Sequence, residues 1–496
     1  MLCVVSTPDR FVPYHTRERL TSGSPSQRDR GSSPGELQQL GPSFIPWTDQ
    51  ALFLAHEAAG HHAVIQIVWR YGSGVDTDGL QRFLGHLEHG LLSRLVQPAV
   101  LPMGRHQWVR VEPSPSTLAV NAPPIPPCDL RRWANEQVEL PLDPACGPGW
   151  RLAVQPLTDG AAAVSLVVSH CLADGTATMM AVCDAVAGTR CTLPFSAPAP
   201  DRRLRRALAE LRQCARDLPA ALVGVSRLVG TLRRAPRSAT RATPRVAAAA
   251  RTGADDAPLP HQQNGIVALP SVSFRAEASA WKAAARRRGV HRLTLLAAFS
   301  AHLAVRLERV HDGTITLLVP VNLRKGRADL GANQVALATV AVPVIALHQS
   351  LAGFQATLNQ AVSRARQDGD RTTALLPLVP FIPRRLVPSL GELAFNSASH
   401  RPVTCSHMGA VPDAVSRIDG TVADWFCCRG VDRHVSAENL ARRGGVATLL
   451  SGVVGDQLLL SVIAYQPGLV MDSQRLEQIV AESLADIDLP DAVVYA

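Results

Sequence analysis

The chain has 496 residues, 46% of them hydrophobic, and a mean hydropathy of +0.07, which is enough apolar material for about three folded domains of about 150 residues each or for two large ones. No apolar run reaches about 18 residues without a charge, so the pattern excludes a membrane-spanning helix. The net charge of +9 is carried almost wholly by arginine, with lysine only at Lys282 and Lys325; it is a weak pointer to nucleic acid and suits anionic ligands or a membrane surface equally well.

Residues 1–42 are rich in Ser, Arg, Gly, Pro and Gln and read as a disordered lead segment. Their first apolar run is too short for a signal peptide. The chain becomes globular from Phe44, and 43–200 reads as a first domain. Val64 to Trp69 has the look of a strand. Asp76 to Val96 reads as one helix, with Leu80, Phe83, Leu84, Leu87, Leu91 and Leu92 at helical spacing. Strand-like pieces near 107–111 and 151–156 flank a proline-rich loop at 122–127. Val164, Leu166 and Val168 alternate as in a strand, which runs into His170, Asp174 and Gly175 and then a helical segment from Thr176.

Residues 201–262 read as a basic amphipathic linker. Nine arginines, among them Arg202, Arg203, Arg205 and Arg206, alternate with apolar clusters over 201–235, and Pro219 is expected to split the segment into two helices. Two readings stay open: a connector with its arginines in water, or a surface resting on anionic lipid. A second domain, 263–496, opens with a strand over 266–274 and helices over 276–288 and 293–310. Strands follow over 315–321 and 335–344, then helices near 350–367 and 372–381. After a loop come strands near 447–455 and 457–465 and a final helix at 473–486. Both halves mix helices and strands, an α/β (α+β) pattern.

Few constellations carry chemistry. The ten cysteines are scattered with no Cys-x-x-Cys pair, against a zinc ribbon or disulfide framework and in favour of a reducing, cytoplasmic setting. His56-Glu57 is followed at the fourth position by Gly60, and His61 comes one residue late for a zinc-protease helix; no metal site is expected. His170 is different. An imidazole at a strand end sits on a rigid platform and has a pKa near neutrality, which suits a general base.

The run Ser169-His170-Cys171-Leu172-Ala173-Asp174-Gly175 resembles the H-H-x-x-x-D-G motif of the condensation-domain and chloramphenicol-acetyltransferase-like acyltransferase superfamily. The approach Pro141 to Trp150, the run Leu318-Val-Pro-Val-Asn322-Leu-Arg324 with Gly331-Ala-Asn333-Gln334 behind it, and Cys405-Ser406-His407-Met408-Gly409 are similar to further parts of that pattern, in order, over roughly 45–480. The second run is nearest the bacterial wax ester synthase/diacylglycerol acyltransferase branch. Ser169 stands where the first motif histidine is expected. The Asp-Phe-Gly-Trp signature of plant relatives is absent, and Asp424-Trp425-Phe426 does not replace it.

The resemblance implies two chloramphenicol-acetyltransferase-like α/β sandwich domains with an active-site tunnel between them. It implies acyl transfer to a hydroxyl from acyl-CoA or an acyl carrier protein as co-substrate, with His170 as base and no cofactor. Asp174 would pair with Arg324, Gly175 would serve the turn, and Ser169, Asn333, Ser406 and His407 would line the tunnel. The residues themselves leave Asp174 an alternative role as helix cap. Expected partners are a long-chain alcohol or diacylglycerol acceptor and no nucleic acid, with peripheral membrane contact through 201–235. Two alternatives stay open: a condensation-type, polyketide or glycolipid acyltransferase acting on a carrier-bound substrate, and a catalytically silent scaffold of the same fold.

Overall fold

A computed structural model describes residues 43–59, 62–112, 118, 122–198, 203–234, 262–263, 266–368, 373–382, 401–489 and 492–495. The expected lead segment 1–42 and most of 235–262 lie outside these residues.

The strand Ala162–Ser169 is buried at every position, because it sits inside a four-stranded antiparallel sheet. The sheet order is Trp425–Arg433, His62–Tyr71, Ala162–Ser169, Trp150–Pro156. The first of these comes from far along the chain, so 263–496 is not a self-contained unit: nine of its residues complete the sheet of the first half, in register from His62↔Arg433 to Arg70↔Trp425. Polar side chains fix that strand. The buried Arg429 donates to Gln66 Oε1, Asn135 Oδ1 and Ser271 Oγ, tying the first sheet to a helix and to the second sheet.

The second sheet runs Val335–Pro343, Thr314–Asn322, Val403–Ala410, Val446–Val454, Gln457–Tyr465, Ser271–Glu277, Val493–Tyr495. Val403–Ala410 is parallel to both its neighbours. The helices Ala278–Arg287, Arg292–Arg306 and Ser473–Ala485 cover one face and share one core with it. On the other face Met408 and Leu450 join a second core with Cys171, Leu172 and Ala332. Val64, Val167 and Val431 meet Ile463 and Tyr465 in a third. The two halves are thus joined by apolar packing on both sides of the strand Ala162–Ser169.

Several expectations are corrected. The helix expected over 76–96 spans Thr77–Glu88 only. The chain turns at Gly90, where Ser93 Oγ donates to the Gly90 carbonyl, and continues as the strand Arg94–Gln97; Leu91 and Leu92 stay buried and so prolong the apolar spacing past the helix end. Thr373–Phe381 is a 3₁₀ run, because Pro377 and Pro380 remove helical N–H donors. The helices Trp47–Ala59 and Leu130–Glu139 and the strands Val403–Ala410 and Trp425–Arg433 were not expected as elements. Arg203–Arg234 is one helix that runs through Pro219. Pro219 and Ala215 are both exposed, so the carbonyl that loses its donor faces water and the break is cheap.

Candidate active site at the junction of the halves

The strand Ala162–Ser169 delivers His170 to the junction. The His170 amide donates to the Ala63 carbonyl (2.9 Å), extending the sheet by one bond, while the Ser169 amide donates to the Gly149 carbonyl (2.9 Å). Gly149 leaves room for the turn: a Cβ there would sit 2.2 Å from Leu172 Cδ1, so the leucine side chain would have to shift. The turn then closes with Leu172 N–H on the Ser169 carbonyl. His170 is 1% exposed.

Asp174 fills both roles considered for it. It is the N-cap of the helix Gly175–Val186, with Oδ1 accepting from the Ala177 amide at 2.7 Å. Its Oδ2 accepts from the Arg324 guanidinium at 3.1 Å and from the Gln334 amide at 3.1 Å. Both side chains are almost wholly buried, at 0% and 3% exposure. Arg324 also donates to the carbonyls of Asp329 (2.5 Å) and Gly331 (3.1 Å), so the loop 324–334 curls around its guanidinium. Gly175 is buried at the first helical position; it is not among the left-handed glycines, so it supplies no left-handed turn.

Asn333 carries the contact to His170. Its Nδ2 donates to the His170 carbonyl (3.0 Å) and to Asp49 Oδ1 (3.0 Å), and its amide donates to the same oxygen (2.9 Å). Asp49 belongs to the helix Trp47–Ala59 and also accepts from the Ala332 amide. Burial raises its pKa to about 6, against the opposing pull of the Asn333 side chain and Arg94. Arg94 is fully buried and donates to the Leu172 carbonyl (2.5 Å) and the Leu330 carbonyl, with its guanidinium 4.5 Å from the Trp108 ring centroid. Burial lowers its pKa to about 10, and Asp49 opposes that. Asp49 and Arg94 escaped the sequence reading. The first lies in a segment where no element was expected; the second is one arginine among many.

The remaining predicted residues divide by strand pleat. Ser406 lies on the face of Val403–Ala410 shared with Met408, toward the junction core; its Oγ is buried with no hydrogen-bond partner among the described residues. His407 points to the opposite face, where Cys405 joins the other core. Its Nδ1 lies 2.8 Å from Ser451 Oγ, and burial, with Arg292 nearby, lowers its pKa to about 4. Adjacent strand residues cannot both face the junction, so His407 is not brought to it. Cys171 beside His170 has its thiol pushed up to about 12 by burial, so it is not a thiolate nucleophile. Ser169 is buried next to it.

Of two cavities, one borders the site. One of about 390 Å³ opens beside the turn and is lined by Arg94, Leu95, Gly149, Trp150 and Leu152 among others. A larger one, about 550 Å³ between Arg288, His302, Arg306 and His348, lies at the Thr314 end of the strand whose other end leads to Arg324, and so is remote from the turn. Among the described residues no group of three or more His, Cys, Asp or Glu is placed to hold a metal ion, and no helix is long and apolar enough to cross a membrane.

The two joined α/β halves have the fold of condensation domains. In particular, the chain is similar to the first condensation domain of the calcium-dependent antibiotic synthetase. One complex of that domain with a substrate analogue matches at a TM-score of 0.54 and 14% identity, over 92% of this chain and 99% of that one. Another matches at 0.53 and 16%, over 91% and 97%. The wax ester synthase/diacylglycerol acyltransferase from Marinobacter aquaeolei VT8 matches at 0.48 and 15%, over 90% and 99%. No family model matches the chain, and no curated protein matches it in sequence. At these identities the likeness is one of fold.

Proposed function

We propose that the protein is an acyltransferase that moves an acyl group from a thioester, acyl-CoA or an acyl carrier protein, to a hydroxyl acceptor such as a long-chain alcohol or diacylglycerol. His170 is the general base. It takes the hydroxyl proton as the oxygen attacks the thioester carbonyl, and the imidazolium then protonates the leaving thiolate. The C–O bond forms first, giving a tetrahedral oxyanion, and the C–S bond breaks as that oxyanion collapses to the ester, so no acyl-enzyme is needed and the high pKa of Cys171 is no obstacle. The buried hydroxyl of Ser406 is the group we assign to the tetrahedral oxyanion.

The observation that carries this reading is the way His170 is held. Its amide is bonded into the first sheet and its carbonyl is bonded by Asn333 from the second half. A histidine fixed from both halves at their seam has the rigidity that proton transfer in a transition state requires. The test is a thiol-release screen of acyl-CoAs of different chain length against long-chain alcohols, diacylglycerol and sugars, with an amine acceptor and a carrier-bound donor as further arms. Acceptor-dependent thiol release by wild type, lost in His170→Ala, is the expected result. Turnover with the amine alone would move the protein to condensation chemistry. A folded His170→Ala protein with wild-type turnover would sink the mechanism, and no release with any pair would leave a silent homologue of the fold.

A further inference from the structure

The helix Arg203–Arg234 packs with its polar side inward. Glu210, 0% exposed, accepts from the amides of Val100 (3.0 Å) and Leu101 (2.8 Å). Asp217, 6% exposed, accepts from Arg105 and from Gln213. Arg206 donates to the Pro98 carbonyl, Cys214 to the Met103 carbonyl, and Gly224 lies close against Leu378. The apolar side therefore faces out. Leu204, Leu208, Leu211, Leu218, Leu222 and Val225 are between 45% and 82% exposed. With Ala215 they recur at alternating intervals of four and three, a ridge of about 30 Å.

The charge on the outward side has one sign. Glu210 and Asp217 are the helix's only carboxylates, and both are buried. Arg203, Arg205, Arg212, Arg216 and Arg227 are exposed. At about 100° per residue, Arg205, Arg212 and Arg216 fall roughly 80–120° round from the ridge, along one flank of it. Val100 and Met103, in the loop that Glu210 and Cys214 pin to the helix, are also exposed.

We propose that this leucine ridge with its arginine flank is a docking surface for an anionic lipid bilayer, on which the helix lies parallel to the membrane plane. The leucines enter the acyl boundary and the arginines reach sideways to the phosphates, the geometry of an interfacial helix. A second copy of the chain is the poorer occupant, because two such faces would bring arginines together with no exposed carboxylate to meet them. The inference stands apart from the acyl-transfer reading, since none of these residues is in the junction site.

The test is co-sedimentation of the full chain with vesicles of equimolar phosphatidylglycerol and phosphatidylcholine, and of phosphatidylcholine alone, at low and high salt. Wild type should bind the anionic vesicles. Leu208→Ser/Leu211→Ser/Leu222→Ser should weaken that binding by about tenfold or more at every salt concentration. Arg205→Gln/Arg212→Gln/Arg216→Gln should remove the preference for anionic over neutral vesicles and the salt dependence. All six positions are exposed, so both variants should keep the wild-type melting curve. His170→Ala should bind vesicles as wild type does, which separates this proposal from the chemistry. Wild type left in the supernatant at low salt would overturn the proposal, as would serine variants that bind like wild type. A wild-type dimer that the serine variant lacks, without vesicle binding, would assign the ridge to a second copy instead.

Discussion

Replacing Asp174 by alanine should damage stability as well as activity, and the size of the loss follows from its bonds. The carboxylate receives three donors: the Ala177 amide, the Gln334 amide and Arg324. Loss of an N-cap costs about 1 kcal/mol, and removing one partner of a buried ion pair costs about 3–5 kcal/mol. Arg324 keeps its carbonyl acceptors at Asp329 and Gly331, which pulls the second figure to the low end. A total of about 3–5 kcal/mol is expected, or roughly 3–5 °C in melting temperature for a chain of this size. Asp174→Asn should recover little, because one of its two positions then sets an NH₂ group against other donors, whichever way the amide is turned. The assay is thermal melting of wild type, Asp174→Ala, Arg324→Ala and the double variant. The double variant should be less destabilised than the sum of the singles by about 2 kcal/mol, since each single strands the other partner. Equal melting temperatures for wild type and Asp174→Ala would refute the reasoning.

His170→Ala should behave in the opposite way. The bonds of its amide to Ala63 and of its carbonyl to Asn333 survive the substitution, so melting should shift less than in Asp174→Ala while turnover falls by about 100- to 10,000-fold. Asp49 gives a pH test. Its pKa is raised to about 6 by burial, so between about 4 and about 6 the folded chain binds more protons than the unfolded one, and its contribution to stability falls as pH rises through that window. Melting of wild type relative to Asp49→Asn should therefore decline by about 1.4 kcal/mol per pH unit across the window; a flat difference would show that Asp49 does not titrate there. Arg94→Met should leave the Leu172 and Leu330 carbonyls buried without their donor, costing about 2–4 kcal/mol. Denaturant titration with unchanged slope would measure it, and a loss below about 1 kcal/mol would mean that water or relaxation replaces the guanidinium.

How much was legible in the sequence depended on whether burial and hydrophobicity coincide. The strand Ala162–Ser169 has apolar residues at most positions and is buried at all of them, so its pattern and its motif agreed. Trp425–Arg433 escaped because its inward face is partly cationic: Arg429 and Arg433 are buried and donate to Gln66, Asn135, Ser271 and the Leu140 carbonyl. Periodicity cannot mark a strand whose core contacts are hydrogen bonds. The Asp174–Arg324 contact was legible through resemblance alone, since nothing local links residues 150 positions apart. For 203–227 the amphipathic spacing was plain, yet spacing does not say which face packs. Two buried carboxylates decided that against the usual rule.

The contacts around His170 converge on one short stretch of the second half. Asp174 holds Arg324 and the Gln334 amide, Asp49 holds Ala332 and Asn333, and Arg94 holds the Leu330 carbonyl while gripping the Leu172 carbonyl of the turn. The loop 324–334 is therefore bonded to three separate elements of the first half: a helix N-terminus, the helix Trp47–Ala59 and the strand Arg94–Gln97. Opening the seam at this point would expose or strand Asp49, Asp174, Arg94 and Arg324 together, at a cost of several kcal/mol for each buried charge left without its partner. On the proposed reading, substrates would reach His170 along the seam on either side of the loop rather than by parting the halves through it. On the proposed acyl-transfer reading, the same bonds let a single histidine act as base with serine in front of it. Asn333 fixes the His170 backbone from the second half, so its orientation does not depend on a neighbouring imidazole at position 169.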